Sequence, residues 1–298
     1  MTRRPSTRAA FTLVELLVVI SIIAILMGLL LPAVQKIRGI GPRTKAVAEV
    51  EQLGIAAKTF YGEYKFYPPT VFRIPATIQF SNTAHPDNPG CVIFQRMFPR
   101  WGRGIADGTA TGLPGGGAIL TGSASLVYFL GGPNALFPDL ITPRRSGWAL
   151  DQPVAPLQAA VSLKGPFFDF PENRISPTNG YLDPWGVPYA YFGSLDSGAY
   201  NPLETLSFTL NGATYTVNPY RTPTPPPPAA PTGFKWVNEK GCQIISAGEN
   251  GNNPTGLPTA RGFGPGNLWV PGNGTYVTGQ SGGDDIANFN GGKMLGVN

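Results

Sequence analysis

The sequence has few of the residues that enzymes use for catalysis or metal binding. Its 298 residues include one histidine, His85, and two cysteines, and no G-x-S-x-G, HExxH or Walker motif occurs. A single histidine excludes His-rich zinc sites and leaves any catalytic triad dependent on one loop residue beside Pro86. We therefore expect a protein that is not an enzyme.

Charged residues are also scarce, at 13% of the chain, which is about half of the usual quarter. The net charge of +5 falls to +2 if residues 1–10 are removed, because three arginines leave with them, so we expect no nucleic-acid binding. The 39 Gly and 32 Pro predict many turns, while 42% hydrophobic residues suffice for one modest core. Cys91 and Cys242 could form one disulfide outside the membrane or remain two buried thiols.

The longest apolar run lies near the start of the chain. Residues 11–31 read FTLVELLVVISIIAILMGLLL, with one acid, Glu15. At a helical rise of about 1.5 Å, roughly 20 residues match the roughly 30 Å of a bilayer's hydrocarbon core. The Leu, Ile and Val residues contribute roughly −4 to −8 kcal/mol to insertion, which outweighs the roughly 2.5 to 3.5 kcal/mol cost of an acid. The sequence predicts a single-pass helix over residues 11–32, in contact with membrane lipid.

Small residues precede this run rather than follow it. A secretory signal peptide has a shorter apolar region and then a small-residue cleavage site, and none follows Leu31. Cleavage after Ala10 would remove a leader, residues 1–10, and leave Glu15 as the fifth residue. The new amine at Phe11 of a neighbouring copy would give that carboxylate a positive partner. The alternative is a polar residue tolerated near the membrane edge.

The string AFTLVELLVVISIIAILMGLLLP resembles the N-terminal segment of type IV pilins and type II secretion pseudopilins. The resemblance implies that a prepilin peptidase cuts before Phe11 and methylates its amine, and that Glu15 recruits each subunit into a helical filament. Pro32 matches a proline that commonly bends the filament helix. Ala10 departs from the usual glycine but is small enough that we expect processing. The implied fold is α+β and pilin-like, with a long N-terminal helix packed on a small antiparallel sheet.

Residues 33–67 continue the helical pattern. Gly39, Gly41 and Pro42 predict a break or hinge at the membrane surface. Glu49 and Glu51 fit a solvated helix face better than a catalytic acid pair, and the helix should end near Tyr67. The amphipathic segment has an apolar stripe that should pack on a sheet, at Val47, Val50, Leu53 or Gly54, Ala57, Phe60 or Tyr61, and Tyr64.

A second motif, YLDPWGVPYAYF, lies at residues 181–192. Its Asp-Pro pair and glycine favour a turn, its tryptophan offers an anchor to the helix stripe, and its alternating tyrosines suit a strand. A generic aromatic hairpin is the alternative. The motif resembles the Asp-Pro-Trp-Gly-x-Pro-Tyr-x-Tyr signature of major pseudopilins, through Asp183, Pro184, Trp185, Gly186, Pro188, Tyr189 and Tyr191.

A third pattern joins QIISAGENG to the later GGDDIANF. It resembles the C-terminal loop that wraps a calcium ion in the same pseudopilins. The resemblance implies Asn250, Asp284 and Asp285 as ligands, with the backbone carbonyl of Ala247, and Ca²⁺ takes about six to eight oxygen ligands. Asn250 stands where the family has an acid, which removes one negative charge. A surface loop with solvated acids is the alternative.

Two long segments separate these motifs. Residues 68–180 should form a variable inserted region, an added surface lobe in which SLVYFL is a short buried strand or helix. Residues 181–298 should hold the sheet and the C-terminal loop. Within them, Asn211-Gly212 predicts a hairpin turn, and the proline-rich insertion at 222–232 predicts an extended spacer.

The three motifs together imply a structural subunit of a type II secretion pseudopilus. Its implied partners are prepilin peptidase, the inner-membrane assembly platform, other pseudopilins and further copies of itself in a helical filament. We expect a single-pass inner-membrane protein with its C-terminal head in the periplasm or outside the cell. The alternatives are a type IV or minor pilin for adhesion, motility or DNA uptake, and a membrane-tethered surface protein that does not polymerise.

Overall fold

The computed structural model describes residues 13–137, 147–149, 163–196, 198, 200, 205–210, 213–224, 233–249 and 285–295. They belong to two compact units, Met1–Thr44 and Lys45–Asn298. The second unit combines helices with small antiparallel sheets, which agrees with the predicted α+β class.

Helix α1 runs from Leu13 to Tyr64 and is 52 residues long. It continues through Gly39, Gly41 and Pro42, so the predicted break is wrong. Pro42 removes only one backbone donor, and the helix has many intact hydrogen bonds on either side. The helix ends three residues before the predicted Tyr67, because Lys65 adopts the left-handed region with φ of 62°.

The first part of α1 contains the window Leu13–Leu30, with a mean hydropathy of 2.9. By length and composition it is the one helix, among the residues that the structure describes, that could cross a membrane. None of the window is buried. Its apolar side chains therefore have no cover from the described residues.

The second part of α1, residues 45–64, buries the predicted apolar stripe. Val50, Leu53, Ala57 and Phe60 are fully buried, and Tyr61 is exposed, so Phe60 is the inward residue of that pair. Each buried side chain of Val, Leu or Phe size contributes roughly 1.5–3 kcal/mol. The predicted amphipathic helix is confirmed over this segment.

The inserted region supplies short elements on the same unit. Strands β1 and β2 pair antiparallel, as do β3 with β4 and β5 with β6. The elements are β1 Val71–Arg73, α2 Asn88–Met97, β2 Ile119–Thr121, α3 Ser123–Gly131, α4 Pro133–Leu136, β3 Trp148–Ala149, β4 Leu163–Lys164, a 3₁₀ turn Glu172–Arg174, β5 Ile175–Ser176 and β6 Gly180–Tyr181.

Helix α3 contains the predicted SLVYFL segment and is buried along its whole length. Its Phe129 packs edge-on against Phe60 of α1, with ring centroids 5.8 Å apart. Both rings belong to one hydrophobic cluster, so the expectation of an added surface lobe is wrong. A helix that is apolar on every side must be covered on every side, and the core of this unit provides that cover.

The central sheet has the order β13-β12-β7 and is antiparallel. Its strands are β7 Ala190–Gly193, β12 Cys242–Ser246 and β13 Ile286–Ala287. Tyr191 and Ile244 pair across it and belong to the cluster that includes the α1 stripe, whereas Phe192 and Ile245 belong to a second cluster. Both faces of this sheet are therefore buried.

Two ribbons belong to the segment between β7 and β12. Strands β8 Leu206–Leu210 and β9 Ala213–Val217 pair antiparallel, as the hairpin prediction requires, while its turn residues lie outside the described residues. Strands β10 Arg221–Thr224 and β11 Gly233–Trp236 also pair. Residues 222–224 are thus in a strand, so the spacer prediction is wrong there. Pro223 is compatible with this two-stranded ribbon because an edge strand can dispense with one backbone donor.

Candidate functional site

The membrane window begins with the candidate assembly residue. Glu15 lies in the first turn of α1, where the helix dipole favours a negative charge. Farther along, the Ser21 hydroxyl donates to the Leu17 carbonyl at 2.7 Å, so this hydroxyl is bonded within the helix. Ala10 and Phe11 lie outside the described residues, and Pro32 lies within α1.

The Asp-Pro-Trp-Gly segment forms a turn around a buried carboxylate. Asp183 Oδ1 accepts the backbone N–H groups of Trp185 and Val187, both at 2.9 Å. Gly186, with φ of 84°, donates its N–H to the Asp183 carbonyl. Trp185 is half-buried against the cluster that includes the α1 stripe. Pro188, which pairs with Leu182 in an isolated bridge, leads toward β7.

The second oxygen of Asp183 leaves the turn and reaches β12. Its Oδ2 accepts a hydrogen bond from the Ser246 hydroxyl at 2.7 Å, and Ser246 Oγ accepts the N–H of Gly248. Burial raises the pKa of Asp183 to about 6, although the Ser246 hydroxyl and the two backbone N–H groups lower it. The second motif is thus bonded directly to the strand that leads into the third.

Glu49 is a site residue that the sequence interpretation missed. It is only 6% exposed, so its placement on a solvated face is wrong. The Arg174 guanidinium binds both of its carboxylate oxygens, with Nη2 and Oε2 2.7 Å apart. The Tyr189 hydroxyl donates to Oε2 at 2.8 Å. The carboxylate therefore joins α1 to the inserted region and to the residue before β7.

A sequence signal for this burial did exist. Glu49 follows the buried Ala46 by three positions and precedes the buried Leu53 by four, which places it on the apolar stripe. A charge at a stripe position requires a buried partner. Sequence spacing alone could not identify that partner, because Arg174 lies 125 positions away.

The candidate calcium residues are described only in part. Asn250 and Asp284 lie outside the described residues. Strand pairing of Ser246 with Ile286, continued by one residue, places Ala247 opposite Asp285, and both are fully buried. Carboxylate and backbone carbonyl oxygens are both ligands that a hard cation such as Ca²⁺ takes. Within the described ranges, no group of three or more His, Cys, Asp or Glu residues could hold a metal ion.

The two cysteines are free and buried, so the disulfide is not formed and the alternative of two buried thiols describes the structure. Cys91 on α2 donates to the Thr77 carbonyl at 3.5 Å. Cys242 lies on β12, where burial raises the pKa of its thiol to about 12. Neither thiol has the lowered pKa of a reactive cysteine.

The single histidine supports a loop. His85 Nδ1 accepts the backbone N–H of Asp87 at 3.1 Å, and Asp87 Oδ2 accepts the N–H groups of Ala76 and Thr77. Arg73 donates to the other oxygen of Asp87 at 2.8 Å. These contacts fix the chain before α2, and they give His85 a structural role.

Comparison with known protein families gave a match near the start of the chain. Residues 5–31 match the prokaryotic N-terminal methylation motif. The motif indicates a precursor of the type IV pilin-like or pseudopilin class, and it implies processing by prepilin peptidase and pilin-type assembly. Proteins of this kind are structural, which agrees with the expectation that the chain is not an enzyme.

The motif and the apolar window of α1 fit a membrane-anchored, single-pass protein. Searches of curated proteins and of solved structures with this chain gave no match.

Proposed function

We propose that this chain is a structural subunit of a type II secretion pseudopilus, with a pilin-like fold. Prepilin peptidase cleaves it between Ala10 and Phe11 and methylates the new amine, and the mature chain polymerises through α1 to support protein export. The observation that carries this proposal is the methylation motif at residues 5–31, which overlaps an apolar helix window with no buried residue.

The exposed window gives the physical reason for assembly. Leu13 is 78% exposed and Leu29 is 73% exposed, and an apolar side chain of that size gains roughly 1.5–3 kcal/mol when it leaves water. Lipid covers this surface in the stored subunit, and the helices of sibling subunits cover it in the filament. Glu15 sets the register, because its carboxylate pairs with the methylated amine of a neighbouring copy.

The contact between two motifs favours a pseudopilin over a type IV pilin. Asp183 of the Asp-Pro-Trp-Gly segment binds Ser246, which lies just before the candidate calcium loop. In the sequence these two segments resemble major pseudopilins separately, and the hydrogen bond supports treating them as one structural unit. The remaining partners in this proposal are the inner-membrane assembly platform and other pseudopilins, with the head on the periplasmic side.

We also propose that the C-terminal loop binds Ca²⁺. The ligands would be Asn250, Asp284, Asp285 and the carbonyl of Ala247. Support comes from the strand register that brings Ala247 opposite Asp285 and from the burial of that carboxylate. When bound, the ion would neutralise the carboxylates and tie the end of β12 to the start of β13.

Crosslinking of native membranes tests polymerisation. The wild-type chain should give a ladder of oligomers, and Glu15→Gln should abolish the ladder while the monomer stays in the membrane. Glu51→Gln is the matched control, because Glu51 is an exposed acid on the other part of the same helix. A wild-type chain without a ladder would favour the tethered, non-polymerising alternative.

Deletion of the gene separates the two filament systems. Loss of protein export, restored by the wild-type chain and not by Glu15→Gln, is the expected result. Unchanged export together with loss of adhesion, motility or DNA uptake would instead favour a type IV or minor pilin.

A further inference from the structure

An open groove lies where helix α1 ends, within the unit Lys45–Asn298. Its volume is about 510 Å³, which falls in the range of roughly 300–1,000 Å³ that is typical of ligand clefts. The walls come from the residues after α1, from α2, from the segment after β7 and from the turn before β12.

Hydrogen bonds between these walls hold the groove open. Arg96 Nη2 donates to the Lys65 carbonyl at 3.4 Å, which joins α2 to the end of α1. The N–H of Ser194 donates to the Gly241 carbonyl at 3.0 Å, which joins the segment after β7 to the turn before β12. A partner would therefore meet a groove that is already formed, and it would lose less entropy on binding.

Positive charge is concentrated in this groove. Charged residues are only 13% of the chain, yet Lys65, Arg96 and Lys240 line the groove with a single acid, Asp196. Within the described residues, neither lysine forms an ion pair. The Lys65 ammonium donates to the Gly62 carbonyl at 2.7 Å, which leaves further N–H groups for a partner. The groove therefore attracts negatively charged groups, most strongly at low ionic strength.

The acid in the groove shows how a carboxylate binds there. Asp196 accepts two hydrogen bonds from Arg96, with Nη1 and Oδ2 2.8 Å apart and Nη2 and Oδ1 3.4 Å apart. A carboxylate facing a guanidinium in this way is a favoured geometry of the two groups. Arg96 is thus neutralised within the chain, and the two lysines remain for the carboxylates of a partner.

The groove also exposes apolar surface. Tyr61 and Tyr67 stack with ring centroids 4.8 Å apart, and Tyr61 is 44% exposed. Leu195, on the segment after β7, is 52% exposed. A small anion such as phosphate would contact only the cations. A peptide with acidic and apolar side chains would cover the exposed tyrosine and leucine as well.

We propose that this groove binds an acidic peptide segment of another protein. Carboxylates of the segment bind Lys65 and Lys240, and an apolar side chain between them packs on Tyr61 and Leu195. These four residues lie outside the methylation motif and the other two sequence motifs. The inference is therefore independent of the proposed role in secretion.

The test is a calorimetric titration of the full chain in neutral detergent with two synthetic hexapeptides. One alternates Glu and Phe, and the other alternates Gln and Phe. We expect only the Glu peptide to bind, and raising sodium chloride from about 50 mM to about 500 mM should weaken its binding. Sodium phosphate at the same ionic strength should weaken it no more than sodium chloride does.

Variants of the two lysines locate the site. Lys65→Gln combined with Lys240→Gln should raise the dissociation constant of the Glu peptide by about fivefold or more. The matched control combines Lys58→Gln with Lys293→Gln, which removes the same charge at two exposed lysines outside the groove. Its affinity should stay within about twofold of wild type. Tyr61→Ser should weaken binding by about threefold, because the apolar contact is lost.

Each result supports or overturns the inference. A wild-type chain that binds neither peptide, or binds both equally, overturns it. Equal weakening by the groove variant and by the control also overturns it, because general charge attraction would then explain the binding. Displacement by phosphate beyond the effect of sodium chloride would indicate a site for small anions instead of a peptide.

Carbodiimide coupling locates the site on the wild-type chain, so the inference stays testable if the variants fail to fold. The reagent condenses a carboxylate of the bound Glu peptide with a nearby lysine amine to form an amide. Mass spectrometry then identifies the lysine. We expect the amide at Lys65 or Lys240. Coupling at other lysines with no preference for these two, or no coupling, contradicts the proposal.

Discussion

The two parts of helix α1 differ both in sequence pattern and in environment, since the first is apolar on all sides and the second is amphipathic. In the window Leu13–Leu30 no residue is buried, whereas Val50, Leu53, Ala57 and Phe60 are fully buried. The unit Lys45–Asn298, which we call the head, supplies a fully buried α3 and a sheet to cover the second part. The described residues supply nothing to cover the first. This difference is what the proposed function requires, in which the window contacts first lipid and then sibling helices.

The largest expected effect comes from a core residue of the second part. Phe60→Ala should destabilise the head by about 3–5 kcal/mol, because Phe60 is fully buried and contacts the rings of Tyr64, Phe66 and Phe129. Leu29→Ala, in the window, should leave the unfolding free energy of the head unchanged. Denaturant unfolding of the full chain in detergent, followed by tryptophan fluorescence, measures both. Equal destabilisation by the two variants would remove the contrast between the parts.

Breaking the buried ion pair between Arg174 and Glu49 should destabilise the head by a similar amount. Arg174→Met leaves Glu49 charged and buried, and should cost about 3–5 kcal/mol. Replacing both residues by Met should cost less, because no charge remains unpaired. The control is Lys164→Met, which breaks a pair with Glu63 at the surface and should cost less than about 1 kcal/mol. An Arg174→Met effect no larger than that of Lys164→Met would refute the role given to Glu49.

The smallest of the three effects depends on pH. Burial raises the folded-state pKa of Asp183 to about 6, whereas an unfolded aspartate has a pKa of about 3.9. Between these values the folded state keeps a proton that the unfolded state has released, so the contribution of Asp183 to stability falls as pH rises from about 4 to about 6. The total is roughly 3 kcal/mol. Melting temperatures of wild type and Asp183→Asn across this range should therefore diverge as pH rises.

Asp87 should make stability depend on pH in the opposite direction. Burial alone would raise its pKa, but hydrogen bonds from Arg73 and Thr77 outweigh burial and lower it. Its contribution is present above the unfolded pKa and is lost as pH falls through the folded value. Wild type and Asp87→Asn should thus differ in stability above the unfolded pKa and converge at acidic pH.

For Asp183, a melting-temperature difference between wild type and Asp183→Asn that is the same at every pH would contradict the pKa of about 6.

Local patterns carried most of what the sequence could predict. The apolar run and the stripe of α1 follow from patterns within a few residues, and the pairing of β8 with β9 follows from the Asn211-Gly212 turn signal. The predicted break at 39–42 failed because propensity is a weak signal inside a long helix. The position of α3 in the core and the partner of Glu49 could not be predicted from the sequence. Both depend on contacts between segments far apart in the sequence, which composition and spacing do not specify.

The central claim is that the apolar window belongs to a processed subunit. Mass spectrometry of the mature chain, purified from membranes, tests it most directly. The account predicts an N-terminal peptide that begins at Phe11 and carries one methyl group on its amine. An intact Met1 on the membrane-extracted chain would contradict the claim.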